Sequence, residues 1–282
     1  MRDWKKNMEI LCDPLCRQVQ IACHRGKFSS SVMENTALAF RAAVGQGADM
    51  VEMDLARTKD GRIVGHHDDT MIRLFHNPGR IGDYTLEELK NMELYNYLGE
   101  PCVQSIETFD EILDALRDRT ILVLDKCWDC WDEVLKLLER EGMTGQAVFK
   151  FYIEDEAAWQ WAARHENCLF IPMLGDTGYL DRVAELARKT RVPALEILPE
   201  RETDAVFREE TILWLRERGI KTWCNSLSLS KNLVYGAGYD DLKSLRFGGE
   251  AGWGRLIRQG VDIIQTDWPY ELWRYLKEGD SL

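Results

Sequence analysis

The chain has no apolar run approaching the roughly 18 residues of a membrane span, so no spanning helix is expected. It also has no surplus of positive charge: 36 Lys and Arg stand against 48 Asp and Glu, a net charge of −12. That balance excludes the broad basic surface by which nucleic acid or anionic membrane is held non-specifically. The opening residues, MRDWKKNMEILCDPLCRQ, carry basic side chains but no long apolar core and no small-residue cleavage site. They do not read as a signal peptide. A cytoplasmic chain is expected, although an exported chain already trimmed would look the same. Clustered cysteine is lacking too. The eight cysteines are scattered, with one C-x-x-C pair, Cys127 and Cys130, and a looser Cys12…Cys16. Such a pair is half a zinc site, a redox couple, or simply the buried start of an amphipathic helix.

At 282 residues, 45% of them hydrophobic, the chain can bury a large core. The length suits one α/β barrel as well as two smaller domains. Apolar strand-like runs alternate with helical patterns from residue 19 to the end, which argues for a parallel sheet with helices outside it. Strands are expected near 19–24, 50–55, 62–67, 121–126, 147–151, 169–174, 194–198, 220–225 and 261–266. Nine runs are one more than an eight-stranded barrel needs. Residues 69–105 form a long connection without a regular strand pattern, holding a short helix that starts at the capping box Thr85-Leu86-Glu87-Glu88. Residues 226–249 read as an irregular loop rich in small residues.

The densest stretch runs from Cys23 to Asp68. His24-Arg25-Gly26 closes the first strand. The second strand is interrupted by Glu52 and Asp54, which lie two apart and so project to one face. Two acids facing a core cost several kcal/mol unless something positive compensates them. The link to the third strand is too short for a crossover helix, and Asp60-Gly61 is a hairpin-turn signal. Antiparallel pairing then sets His67 opposite Asp54 or Glu52, depending on register, with His66 turned to the other face. Asp68 follows as an orienter for His67 or for the loop after it, and Asn35 reads as a helix cap and loop anchor. A fainter echo pairs Gly47-Ala48-Asp49…Glu52…Asp54 with Gly260-Val261-Asp262…Gln265…Asp267, so that Gln265 stands where the first copy has Glu52.

These residues resemble the signature of the glycerophosphodiester phosphodiesterase family: HRG, then ENT (Glu34-Asn35-Thr36), then GAD-x-x-E-x-D, then T-x-DG-x-x-V-x-x-HD, with a GVD…TD-x-P ending at Gly260–Pro269. The resemblance spans nearly the whole chain and is dense at its two ends. It implies one (β/α)8 TIM-barrel domain over residues 1–282, with a small cap at about 69–105. It implies metal-dependent hydrolysis of a glycerophosphodiester to glycerol 3-phosphate and an alcohol. Glu52, Asp54 and Asp125 would ligate one divalent cation, Mg²⁺ or Ca²⁺, and leave positions for water and phosphate. His24 and His67 would serve as general acid and base respectively, with the substrate's own neighbouring hydroxyl attacking first. Arg25 would neutralise phosphoryl charge.

One position departs from the pattern. The family has Glu-x-Lys where this chain has Asp125-Lys126, and adjacent residues in a regular strand point opposite ways. The substrate contact that the resemblance implies for Lys126 is therefore in tension with ligation by Asp125 within a regular strand. Lys150, at the end of the next strand, either supplies that charge or points to solvent. Trp223 either walls the substrate pocket or packs in the core, as one of 10 tryptophans. Alternatives to the phosphodiesterase are a lysophospholipase D-like enzyme and a barrel that binds a phosphorylated ligand without turnover. Beyond the small-molecule substrate no partner is implied, and nothing specifies an oligomeric state.

Overall fold

The computed structural model describes residues 3–96, 98–230 and 234–279. Helix α1 (Trp4–Cys12) precedes strand β1 (Gln20–Cys23), helix α2 (Ala37–Gly45), strand β2 (Met50–Arg57) and strand β3 (Ile63–Gly65). An insertion follows, with α3 (Ile72–Phe75), α4 (Leu86–Lys90) and a small hairpin of β4 (Leu94–Tyr95) with β5 (Pro101–Cys102). From α5 (Phe109–Leu116) the alternation is regular: β6 (Ile121–Asp125), α6 (Trp131–Arg140), β7 (Ala147–Tyr152), α7 (Glu156–Ala162), β8 (Phe170–Leu174) and α8 (Leu180–Lys189). It ends with β9 (Ala194–Ile197), α9 (Glu209–Glu217), β10 (Lys221–Asn225), α10 (Asp241–Phe247), α11 (Trp253–Gln259), β11 (Ile263–Thr266) and α12 (Pro269–Gly279).

Eight of these strands are parallel and close into a ring, β1-β2-β6-β7-β8-β9-β10-β11 and back to β1, which is a TIM barrel. The ninth run is β3, which pairs antiparallel to β2 outside the ring. That accounts for the surplus strand in the sequence. The 69–105 segment carries the β4–β5 hairpin, and its apolar residues gather with Met33 and Val64 in a satellite cluster separate from the barrel core. Residues 226–249 are not all loop: α10 lies among them, capped by Asp240. Its helical signal is short, and the surrounding glycines mask it.

Strand parity explains the interior. On each strand one set of side chains packs outward against the helices and the alternate set points into the barrel. Inward residues Ala22, Met50, Val123, Val148, Ile171, Ala194, Trp223 and Ile263 form an apolar plug, with Leu11 of α1 joining it. Two residues further along, the same inward positions become polar: Glu52, Lys150, Glu196, Asn225 and Gln265, each at most 6% exposed. The barrel is apolar at its base and charged toward the C-terminal ends of its strands. No helix among the described residues is long and apolar enough to cross a membrane.

Candidate active site

The charged layer floors a cavity of about 290 Å³ at the C-terminal rim. Into it reach His24, Arg25, Glu52, Asp54, His67 and Asp125. Glu52, Asp54 and Asp125 each offer a carboxylate oxygen, and these oxygens lie within 4.8 Å of one another. A cation bound at about 2.1–2.5 Å from each ligand needs oxygens no more than about 4–5 Å apart, so the three carboxylates fit a hard divalent ion. Burial, and then the charges of Asp54 and Asp125, push the Glu52 carboxyl well above the usual range. A bound cation would relieve that repulsion.

Three residues of the site have left-handed backbone: Arg25 (φ 54°), Asn35 (φ 55°) and Lys126 (φ 54°). At Lys126 this conformation departs from the regular strand on which the tension with Asp125 rested. The chain leaves regular strand geometry immediately after Asp125, so Lys126 lines the same cavity as its neighbour instead of turning away. Its backbone N–H also donates to Asp125 Oδ1 at 2.7 Å. Asn35 anchors the acid pair, with its Nδ2 donating to Asp54 Oδ2 at 3.0 Å and its Oδ1 accepting from the Asp54 N–H at 3.0 Å. The helix cap expected of it belongs to Thr36, which accepts from the Ala39 N–H. Close approach of this loop requires Gly65, where a Cβ would come within 2.4 Å of the Asn35 carbonyl oxygen.

The two imidazoles are set by carboxylates. His24 Nδ1 lies 2.9 Å from Asp267 Oδ1, and His67 Nδ1 lies 2.7 Å from Asp68 Oδ1. With Nδ1 donating to its carboxylate, Nε2 remains for proton exchange. The strand register differs from expectation. β3 ends at Gly65, His66 donates its N–H to the Asp54 carbonyl, and His67 lies beyond the ladder where the chain turns. His66 is buried beside Phe75 and does not line the cavity.

Arg25 is tied down from both sides, by Glu34 at 3.1 Å and by Asp54 at 3.3 Å. Burial opposes its charge, but Asp54, Glu34 and Glu52 outweigh it and raise its pKa. Arg73 donates to both Glu34 and Asp68 and so braces the Arg25 and His67 loops together. Burial opposes the charge of Asp68, but its hydrogen bonds to His67 and Arg73 hold its carboxyl far below the usual range.

Lys150 points inward, not to solvent. Its ammonium sits 2.6 Å from Glu196 Oε2 and 3.2 Å from Asp125 Oδ2. Despite complete burial, those acids raise its pKa well above the ordinary lysine value. It neutralises Glu196, pairs with Asp125, and lines the same cavity. Trp223 is a correction: it is fully buried in the plug beneath the cavity, donates to Asn225 Oδ1, and lies under the Lys150 ammonium. The aromatic wall is supplied instead by Trp128, Tyr152 and Tyr235. Replacing Lys150 with Met should lower stability by about 3–5 kcal/mol, because it strands a buried carboxylate. Adding Glu196→Gln should recover part of that loss, read from denaturant midpoints.

Asp241, missed in the sequence, is a hub. Its carboxylate accepts from Ser226 Oγ, Trp253 Nε1, Thr266 Oγ1 and the Asp267 N–H at 2.6–3.0 Å. Burial nonetheless pushes it up to about 7 from the usual 3.8. Between about pH 4 and 7 the unfolded chain ionises this group before the folded one does, so folding stability falls as pH rises through that window. Asp241→Asn should flatten that stretch of a stability–pH curve. The C-x-x-C thiols face the core. Burial pushes Cys127 well up and Cys130 up to about 12, and neither belongs to a metal cluster among the described residues.

The model of the glycerophosphoryl diester phosphodiesterase family matches residues 24–165. The chain belongs to that family. A second family model, a domain of unknown function, matches residues 170–276. The glycerophosphodiester phosphodiesterase of Caldanaerobacter subterraneus is 38% identical over 104 residues, 36% of this chain and 42% of that protein. That of Bacillus altitudinis is 35% identical over 107 residues, 38% of this chain and 43% of its own length. The matched stretch thus spans about two fifths of these curated relatives. Among solved structures, a Parabacteroides distasonis glycerophosphoryl diester phosphodiesterase superposes with TM-score 0.80 at 24% identity, covering 99% of this chain and 93% of that one. An Oleispira antarctica phosphodiesterase in complex with its product sn-glycerol-3-phosphate superposes with TM-score 0.67 at 19% identity, over 92% and 97% of the two chains. Both share the fold of this phosphodiesterase-family barrel.

Proposed function

We propose that the chain is a glycerophosphodiester phosphodiesterase, hydrolysing its substrate to glycerol 3-phosphate and an alcohol. The observation that carries this reading is the meeting of Glu52, Asp54 and Asp125 with His24 and His67 in one cavity. Family membership and the product named for the Oleispira protein support it. A divalent cation, Mg²⁺ or Ca²⁺, held by the three carboxylates would supply Lewis-acid polarisation of the phosphoryl oxygens. Arg25 and Lys126 add fixed positive charge around the same oxygens. His67, held by Asp68, takes the proton of the substrate's own attacking hydroxyl as the cyclic phosphate forms, and His24, held by Asp267, protonates the alkoxide that departs. Water then opens the ring with the two histidines in exchanged roles, His24 taking its proton and His67 returning one to the ring oxygen, which yields glycerol 3-phosphate and restores both imidazoles.

A coupled glycerol 3-phosphate assay on glycerophosphocholine and other head groups, with Mg²⁺ or Ca²⁺ against chelator, tests the reading. Cation-dependent release is expected, and absence of release from every head group sinks it. A lysophospholipase D-like activity is a second reading, favoured by exposed Ile72, Leu98 and Val103 on the insertion. Lysophosphatidylcholine in parallel assays decides between them. The third alternative, binding without turnover, rested on the Asp125-Lys126 departure, and it loses its motive because both side chains reach the cavity.

A further inference from the structure

The insertion after β3 sends a charged side chain into the network around the imidazoles. Arg73 lies on α3, whose Leu74 and Phe75 are buried in the satellite cluster with Met33 and Val64. His76, at the end of α3, stacks on Tyr95 of the small hairpin with ring centroids 3.8 Å apart. One apolar cluster thus supports both Arg73 and the loop that carries Glu34. From there the guanidinium makes two forked pairs. Nη1 and Nη2 donate to Glu34 at 2.6 and 2.8 Å, while Nε and Nη2 donate to Asp68 at 2.7 and 3.1 Å. The two carboxylates are not alike. The Glu34 side chain is 5% exposed and bonded to Arg25, whereas that of Asp68 is 24% exposed and lies past the end of the β3 ladder. Glu34 is the fixed end of the brace, and Asp68 is the end it holds.

Asp68 Oδ1 meets His67 Nδ1 and Arg73 Nη2 together, and its Oδ2 meets Arg73 Nε. A hydrogen bond between side chains adjacent in sequence does not by itself fix where either points, because both rotate about one short stretch of backbone. The planar guanidinium supplies the missing reference, since a forked pair fixes the plane of a carboxylate as well as its distance. We propose that Arg73 is a positioning residue that acts through Asp68. It holds the His67 ring as the Nδ1–H tautomer, with Nε2 free for the proton, and in register with Arg25 through Glu34. The insertion then belongs to the catalytic apparatus and is more than a surface cap. This inference rests on the phosphodiesterase reading of the cavity.

Kinetics on glycerophosphocholine, together with nitrogen NMR of the histidine rings, test it. Arg73→Met should lower kcat by about 10- to 100-fold, the cost of a misplaced reacting group. Affinity for glycerol 3-phosphate, read by calorimetry, should change by less than about threefold, because Arg25 keeps both Glu34 and Asp54. Arg73→Lys keeps the charge without the fork and should recover only part of the loss. In an Asp68→Asn background, Arg73→Met should cost less than about threefold more, since the two residues act in series. The His67 ring signals, identified by their loss in His67→Ala, should show one Nδ1–H tautomer in the unaltered protein. In Arg73→Met they should show a mixture, whether or not turnover is seen. Thermal melts check folding, and Arg73→Lys carries the same readouts should the methionine variant not fold. An unchanged kcat, an unchanged tautomer or a fully multiplicative loss in the double variant overturns the proposal. A fall in product affinity as large as the fall in kcat overturns it too, because it marks a general loosening of the site. A tautomer change as expected, without any hydrolysis by the unaltered protein, would instead sink the phosphodiesterase reading and leave the positioning role standing.

Discussion

His24→Ala and His67→Ala should each lower kcat on glycerophosphocholine by about 10²- to 10⁴-fold, the range typical for removal of a positioned acid or base. The fold should survive both changes. Asp68 keeps Arg73, and the Asp267 side chain is 23% exposed and open to water, so neither carboxylate is left buried without a donor. Melting temperatures should accordingly move by only a few degrees, whereas KM should change little because Arg25, Lys126 and the acid cluster remain. The two variants should differ in their pH profiles. A base must be unprotonated to act, so loss of His67 removes the acidic limb of a bell-shaped profile, and loss of His24 removes the alkaline limb. Appreciable turnover in both variants would refute the acid/base assignment, and interchanged limbs would reverse the two roles.

The acid cluster was legible because period-two spacing marks residues sharing one face of a strand, and Glu52 and Asp54 break an otherwise apolar run. The same rule could have found Glu196. It interrupts Ala194-Leu195-Glu196-Ile197-Leu198 at an inward position, a single carboxylate in a buried strand. Parity fails where the backbone leaves the strand. Lys126 and His67 both lie just past a strand end, and a left-handed residue in one case and the end of the ladder in the other re-aim their side chains. Arg73 and Asp241 carry no local signal at all. Each acts across a distance in sequence that only tertiary closure spans, Arg73 to Glu34 and Asp241 to Asp267. Alternation made the parallel sheet with its outer helices readable, closure into a barrel was implied by the family resemblance, and the surplus strand was explained only when β3 proved to lie outside the ring.

Glu52→Gln is expected to abolish detectable turnover and yet raise the stability of the cation-free protein. Glu52 is 2% exposed and sits with Asp54 and Asp125 in a cavity whose oxygens are close enough to share one ion. Without that ion, confining three negative charges there opposes folding, and Lys150 and Arg25 offset the charge of Glu52 in part. A glutamine keeps the volume and can still accept from the Arg25 N–H, the bond that Glu52 Oε2 makes at 3.1 Å. It removes one charge from the cluster and so a desolvation cost of order 1–3 kcal/mol. The melting temperature in chelator should therefore rise by a few degrees relative to the unaltered protein. In excess Mg²⁺ or Ca²⁺ the order should reverse, because the unaltered protein gains binding free energy that the variant, with one anionic ligand fewer, loses. A variant less stable than the parent in chelator would mean that Glu52 is a structural acid satisfied by Arg25 and Lys150. The cation would then have to be sought elsewhere on the rim.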